Sequence, residues 1–204
     1  RGVALAPAAP DAVGDALDGI EAAFKAYPPL CLGKIVSGIF IAGRIAIDGA
    51  QAGGVGGPAW IVLAAPADIS AAARVETARL GVHHESSSFV WARDDLLRQR
   101  WAETLPPGWR FAGPAVEQLA RADAPAPPPE TGFLSAYGGT TPENDFNIYA
   151  ETAFDAPRTL AARAAATKLV ARKLGLLLEA YARIDPRLAD AFARGGLAAA
   201  ATRG

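Results

Sequence analysis

An α+β fold is predicted by three features of the sequence. β-Branched residues punctuated by glycine fill the stretch from Lys34 to Ile47, a short apolar run follows at Ala59–Ala64, and apolar residues recur at helical spacing before and after these strands. The C-terminal half reads as helical. At 204 residues the chain is long enough to bury a core without disulfides or metal as staples. The reading is a single domain over 11–204 behind an N-terminal linker, 1–10.

The elements follow in order. After Asp11, residues Val13, Leu17, Ile20, Ala23 and Phe24 keep helical spacing as far as Tyr27, and Pro28-Pro29 ends the helix. Ile35, Val36, Ile39, Ile41, Ile45 and Ile47 make strand material with a turn near Gly43-Arg44. Gly49 to Pro58 reads as a glycine-rich loop, in which Gly53-Gly54-Val55-Gly56-Gly57 lacks the lysine of a phosphate loop. A long helix is expected from Asp68 or Ser70 toward Leu97, with Gly81 inside it, where a missing side chain lets a neighbour approach. Pro106-Pro107-Gly108 marks a turn, and the prolines between Ala122 and Pro129 an extended loop. Thr141 as N-cap, Pro142 at the first helical position and acids in the first turn start another helix. A helical region from Pro157 to Arg183 carries Leu160, Leu169, Leu174 and Leu177 as core candidates, and a short helix follows Asp185-Pro186.

Composition removes several function classes. The net charge is −1, with the basic residues scattered along the chain, so the electrostatic footprint of a nucleic-acid binder is missing and no nucleic-acid partner is expected. No apolar run reaches the roughly 20 residues of a membrane-spanning helix, so no transmembrane segment is expected. Cys31 is the only cysteine, which excludes an internal disulfide and a thiolate zinc site, and its neighbours Leu30 and Leu32 predict a buried structural thiol. The start Arg1-Gly2-Val3-Ala4-Leu5-Ala6-Pro7 resembles what remains after an export signal is removed, which points to a periplasmic or cell-envelope location, with an internal fragment of a cytosolic protein as the alternative.

Chemistry concentrates in His83-His84-Glu85-Ser86-Ser87-Ser88, which holds both histidines of the chain. In H-E-x-x-H, two imidazoles one turn apart on a helix converge on zinc, and the intervening glutamate serves as general base toward water. Here His84 takes the first ligand position and Glu85 the base, while Ser88 occupies the second ligand position with a hydroxyl that zinc seldom takes. His83 points about 100° away from His84, which suits a supporting or substrate-contacting role. Further donors are sought in the acid-rich start at Glu143, where Glu143 and Asn147 share a helix face and Asp145 lies nearby. A donor set of one histidine with Glu143, and with Asp145 as a further acid, is harder and richer in oxygen than that of a zinc protease, which points to weak zinc binding or to another divalent ion. Tyr137 is a candidate to donate to a developing oxyanion. No G-x-S-x-G elbow accompanies the serines.

The ordered run of His83-His84-Glu85-Ser86-Ser87-Ser88, Leu105-Pro106-Pro107-Gly108-Trp109-Arg110-Phe111, Gly132-Phe133-Leu134-Ser135-Ala136-Tyr137 and Glu143-Asn144-Asp145-Phe146-Asn147 resembles the zinc-binding metallopeptidases of bacterial envelopes, many of them lipoproteins. The resemblance covers approximately residues 30–154. It implies a zincin-like fold, a short twisted mixed sheet packed on an active-site helix, with a downstream acidic helix. It also implies His84 as ligand, Glu85 as base, Glu143 or Asp145 as acidic ligand, and a peptide or protein substrate. Two functions follow as expectations: a zinc-dependent hydrolase of the peptidase type, or a zincin-like binding module that has lost catalysis.

Overall fold

The structure is a computed structural model that describes residues 2–111 and 127–202. Of the proline-rich loop expected at 122–129, the part up to residue 126 lies outside the described residues. The fold is α+β, and the chain divides into two compact units, residues 1–89 and 90–204.

The first unit holds six strands, two α-helices and a short 3₁₀ turn (Leu32–Lys34) among its described residues: β1 (Val3–Ala6), α1 (Pro10–Phe24), β2 (Gly38–Ala42), β3 (Arg44–Ile47), β4 (Ala50–Ala52), β5 (Gly54–Gly56), β6 (Trp60–Ala64) and α2 (Ala71–Ala92), the last running three residues past the unit's end. One sheet has the order β1-β3-β4 and is antiparallel throughout. The other has the order β2-β6-β5, with β2 parallel and β5 antiparallel to the central β6, so it is mixed. The segment read as an N-terminal linker thus contributes β1, which pairs with β3 from Val3 opposite Ile47 to Ala6 opposite Arg44. The segment read as a glycine-rich loop contributes two strands, β4 and β5.

Gly43 interrupts what would otherwise be one long strand. A Cβ on it would lie 2.3 Å from the Pro7 carbonyl oxygen, so the chain from β1 crosses where only glycine leaves room. Ala42, Ile45, Val62 and Ala64 pack between the sheets, joined by Ile47, Ala52 and Val55.

Helix α1 buries a different stripe from the one its apolar residues suggest. Ala12, Ala16, Gly19 and Ala23 face inward, whereas Leu17 and Phe24 are about half exposed at 53% and 49%. The cause lies in α2: a Cβ on Gly19 would stand 2.2 Å from the Val75 carbonyl oxygen, so the helices cross too closely for larger side chains. Arg74 of α2 ties the pair from the side by an ion pair to Asp15 at 2.6 Å. On its sheet side, α2 sets Gly81 against Leu63 of β6, whose Cδ2 lies 3.0 Å from the position of a Cβ. Gly81 therefore has a packing role. Cys31 is buried, as its apolar neighbours predict.

The described part of the second unit is helical: α3 (Asp95–Ala102), α4 (Pro142–Asp155), α5 (Pro157–Ala166), α6 (Lys168–Ile184), α7 (Pro186–Arg194) and α8 (Leu197–Ala201). The long helix expected to run to Leu97 ends at Ala92, because the Asp94 side chain accepts from the Leu97 N–H at 2.8 Å and caps a new helix, α3. Thr141 caps α4 as the sequence predicts, accepting from the Asn144 N–H at 3.0 Å, with Pro142 at the first position. The helical region expected over 157–183 is two helices separated at Thr167, whose backbone is extended. Trp101, Phe146, Tyr149, Tyr181, Leu160, Leu174 and Leu177 are fully buried and form the core of this unit. Its aromatic rings meet largely edge to face, as Trp101 does on Phe146 and Tyr149 at centroid distances of 5.3 and 5.4 Å.

Candidate functional site

The motif lies on α2, as the sequence predicts, and the helix sorts its residues between core and surface. His83 is buried at 1% exposure, with its Nδ1 3.1 Å from the Tyr27 hydroxyl. Burial, with a smaller contribution from the charge of Arg79, lowers its pKa to about 3, so the imidazole is neutral at ordinary pH. Ser86 and Ser87 are likewise fully buried. The Ser87 hydroxyl donates to the His84 carbonyl at 2.7 Å, a bond back along its own helix that needs no ligand. His84, Glu85 and Ser88 are half-buried and form the part of the motif that reaches the surface.

Glu85 has a specific neighbour. Gly54 of β5 lies so near that a Cβ on it would come within 2.4 Å of Glu85 Oε1 and 2.7 Å of both Cδ and Cγ. The Glu85 side chain is therefore laid along the backbone of β5, the antiparallel edge strand of its sheet. One turn on, Phe89 touches the same strand at Gly56, where a Cβ would meet it at an ordinary 3.6 Å. Residues two apart on a strand share a face, and residues four apart on a helix share a face, so Gly54 and Gly56 meet Glu85 and Phe89 in matched register. Sequence reading missed this because the glycine cluster carries no alternating pattern by which a strand is recognised.

In the second unit the acid-rich start divides in the same way. Glu143 is exposed in the first turn of α4. Asp145 is completely buried, and its Oδ2 accepts from the Lys173 ammonium at 2.7 Å and from the Trp101 indole N–H at 2.9 Å. Lys173 is also fully buried; it donates to the Gly132 carbonyl at 3.1 Å and lies 4.1 Å above the Phe133 ring. Tyr149 donates to that same carbonyl at 2.7 Å. Burial raises the Asp145 pKa to about 6, against the opposing pull of Lys173 and Trp101, and burial lowers that of Lys173. The second oxygen, Asp145 Oδ1, is buried without a hydrogen-bond partner among the described residues. Asn144 donates to Thr140 Oγ1 at 2.9 Å, Asn147 is buried, and Tyr137 is half-buried in a short 3₁₀ turn, Tyr137–Gly139. Lys173 and Trp101 are the partners the sequence did not reveal: each lies tens of residues from Asp145, and neither belongs to a motif.

The donor chemistry fits a divalent ion in part. His84 is a borderline nitrogen donor on the half-buried side of α2, which suits zinc, and Glu85 follows it as a carboxylate that can accept a proton. Ser88 adds only a hydroxyl, the Asp145 carboxylate is already shared between an ammonium and an indole, and no group of three or more His, Cys, Asp and Glu side chains is gathered among the described residues. Among the described residues no helix is long and apolar enough to cross a membrane. Comparison with protein-family models, curated proteins and solved structures finds no match for the chain.

Proposed function

We propose that the chain is a metal-dependent hydrolase of the peptidase type, related to the zincin-like envelope proteins that its ordered motifs resemble. The observation that supports this reading best is the placement of Glu85: an accessible carboxylate on α2, next to His84, held along the antiparallel edge strand of a mixed sheet. That is the arrangement a general base needs if it is to meet a substrate lying at a sheet edge. His84 would hold the ion, with zinc the first choice. Of the two downstream acids that the resemblance offers as ligand, Asp145 is spent on Lys173 and Glu143 is exposed. When bound, the ion supplies a water molecule whose pKa lies near neutrality. Glu85 would be the group that accepts a proton from water and passes one to a leaving amine.

The test is metal content together with turnover. Zinc-loaded protein is expected to hold one equivalent, which His84→Ala loses and Glu85→Ala keeps while losing hydrolysis of a casein or peptide-library substrate. Unchanged metal in His84→Ala removes the ligand assignment, and retained turnover in Glu85→Ala removes the base. A second reading, a non-catalytic binding module on the same scaffold, is favoured by Ser88 at the second ligand position and by the absence of a three-donor group among the described residues. Absence of bound metal and of turnover after zinc-supplemented purification selects it.

A further inference from the structure

We infer that Gly54 is the positioning residue for Glu85: the bare backbone of β5 at this point fixes where the carboxylate lies. The inference rests on the proposed role of Glu85 for its catalytic consequence, but not for its structural one. A methyl group at Gly54 would overlap three consecutive atoms of the Glu85 side chain, Cγ and Cδ at 2.7 Å and Oε1 at 2.4 Å, and real Cβ atoms essentially never come within 3.0 Å of a neighbour. The overlap involves the body of the side chain as well as its tip, so a small rotation of the carboxylate does not relieve it. Glu85 has to leave its rotamer, or β5 has to leave α2. Because β5 pairs with β6 along Gly54–Leu63, Val55–Val62 and Gly56–Ile61, moving the strand costs ladder hydrogen bonds, and the side chain is the part that yields.

The strand carries its own control. Gly56 occupies the same face two residues on, yet a Cβ there meets Phe89 only at 3.6 Å, an ordinary contact. Any general effect of replacing glycine by alanine in β5 appears at both positions, and the effect of displacing Glu85 appears at Gly54 alone. Removing Glu85 supplies the complementary control, since Glu85→Ala deletes the very atoms that a new methyl group would strike.

The experiment is a double-mutant cycle on the full chain. Gly54→Ala is expected to lower the melting temperature by several degrees in the Glu85 background and to change it little in the Glu85→Ala background, with Gly56→Ala tolerated in both. Equal losses in the two backgrounds overturn the inference, whatever the activity of the protein. If Gly54→Ala alone does not fold, recovery of folding in Gly54→Ala/Glu85→Ala supports it, and failure to recover overturns it. Where the wild-type chain hydrolyses peptide, Gly54→Ala is expected to lose at least 100-fold in kcat with KM within about threefold and metal content unchanged, because the base is displaced and the rest of the site is kept. Wild-type kcat in a folded Gly54→Ala overturns it. Absence of turnover in the wild-type chain refutes the hydrolase and leaves the stability cycle to decide the contact.

Discussion

Replacing Lys173 by methionine keeps the length of the side chain but leaves the Asp145 carboxylate buried without a counter-charge. Stranding one partner of a buried pair costs about 3–5 kcal/mol, whereas removing both charges is often close to neutral. Lys173→Met is therefore expected to lower stability in urea by that amount, and Asp145→Asn/Lys173→Met to recover most of it. A single variant within 1 kcal/mol of wild type would show that the pair contributes nothing to holding the second unit. The same pair marks a limit of sequence reading at the residue scale. That acids open α4 was legible from Thr141-Pro142-Glu143. That Asp145 turns inward while Glu143 stays exposed was not, because the choice is made by Lys173, 28 residues away, and Trp101, 44 residues away. His83 and His84 differ for a similar reason: adjacent positions on α2 point to different surroundings, and only packing against Tyr27 shows which imidazole is buried.

At the scale of elements, α1 shows how a helix can be recognised correctly and its buried face misjudged. Its spacing predicts the helix start to within a residue and its end three residues late, and of the stripe Val13, Leu17, Ile20, Ala23 and Phe24 that it suggests, Ala23 is buried and Ile20 packs on the core. The fully buried face is Ala12, Ala16, Gly19 and Ala23, because a close crossing with α2 selects small residues and leaves Leu17 and Phe24 outside. Two glycines in this one helix then behave oppositely. Gly14 is exposed and a Cβ on it meets nothing within 4 Å, so Gly14→Ala is expected to stabilise by about 0.5–1 kcal/mol through helix propensity alone. A methyl group on Gly19 would strike the backbone of α2 at Val75, so Gly19→Ala is expected to destabilise by about 1–3 kcal/mol as the helices are forced apart. Thermal unfolding of the two variants decides it: losses of the same sign would mean that the crossing does not constrain Gly19. The glycine-rich stretch before β6 repeats the lesson, since β4 and β5 are made by pairing with β3 and β6 and not by any propensity of their own.

For the molecule as a whole, the α+β class was legible from where β-branched and helically spaced residues fall along the chain. The buried titratable groups were not, and they set its response to acid. His83 is neutral when folded, its pKa brought from 6.5 to about 3, so below pH 6.5 the unfolded chain takes up a proton that the folded chain refuses. This contribution to stability is complete above pH 6.5 and is lost as the pH falls toward 3. Asp145 has the opposite sign: its pKa is raised from 3.8 to about 6, so the folded chain binds the proton first and gains stability as the pH falls from 6 toward 3.8. Between pH 6.5 and 4.5 the two contributions largely cancel, about 2 kcal/mol lost at His83 against about 2 kcal/mol gained at Asp145. Variants that remove one contribution expose the other. In the metal-free chain, His83→Gln keeps a polar partner for the Tyr27 hydroxyl but cannot titrate, and relative to wild type it is expected to grow more stable on acidification. Asp145→Asn/Lys173→Met removes the compensating gain and is expected to grow less stable over the same range. Every other carboxylate contributes alike to all three proteins, so the differences in their calorimetric profiles isolate these two sites. Parallel profiles would mean that neither burial shifts a proton equilibrium, whereas slopes that diverge in opposite directions identify two buried groups of opposing sign.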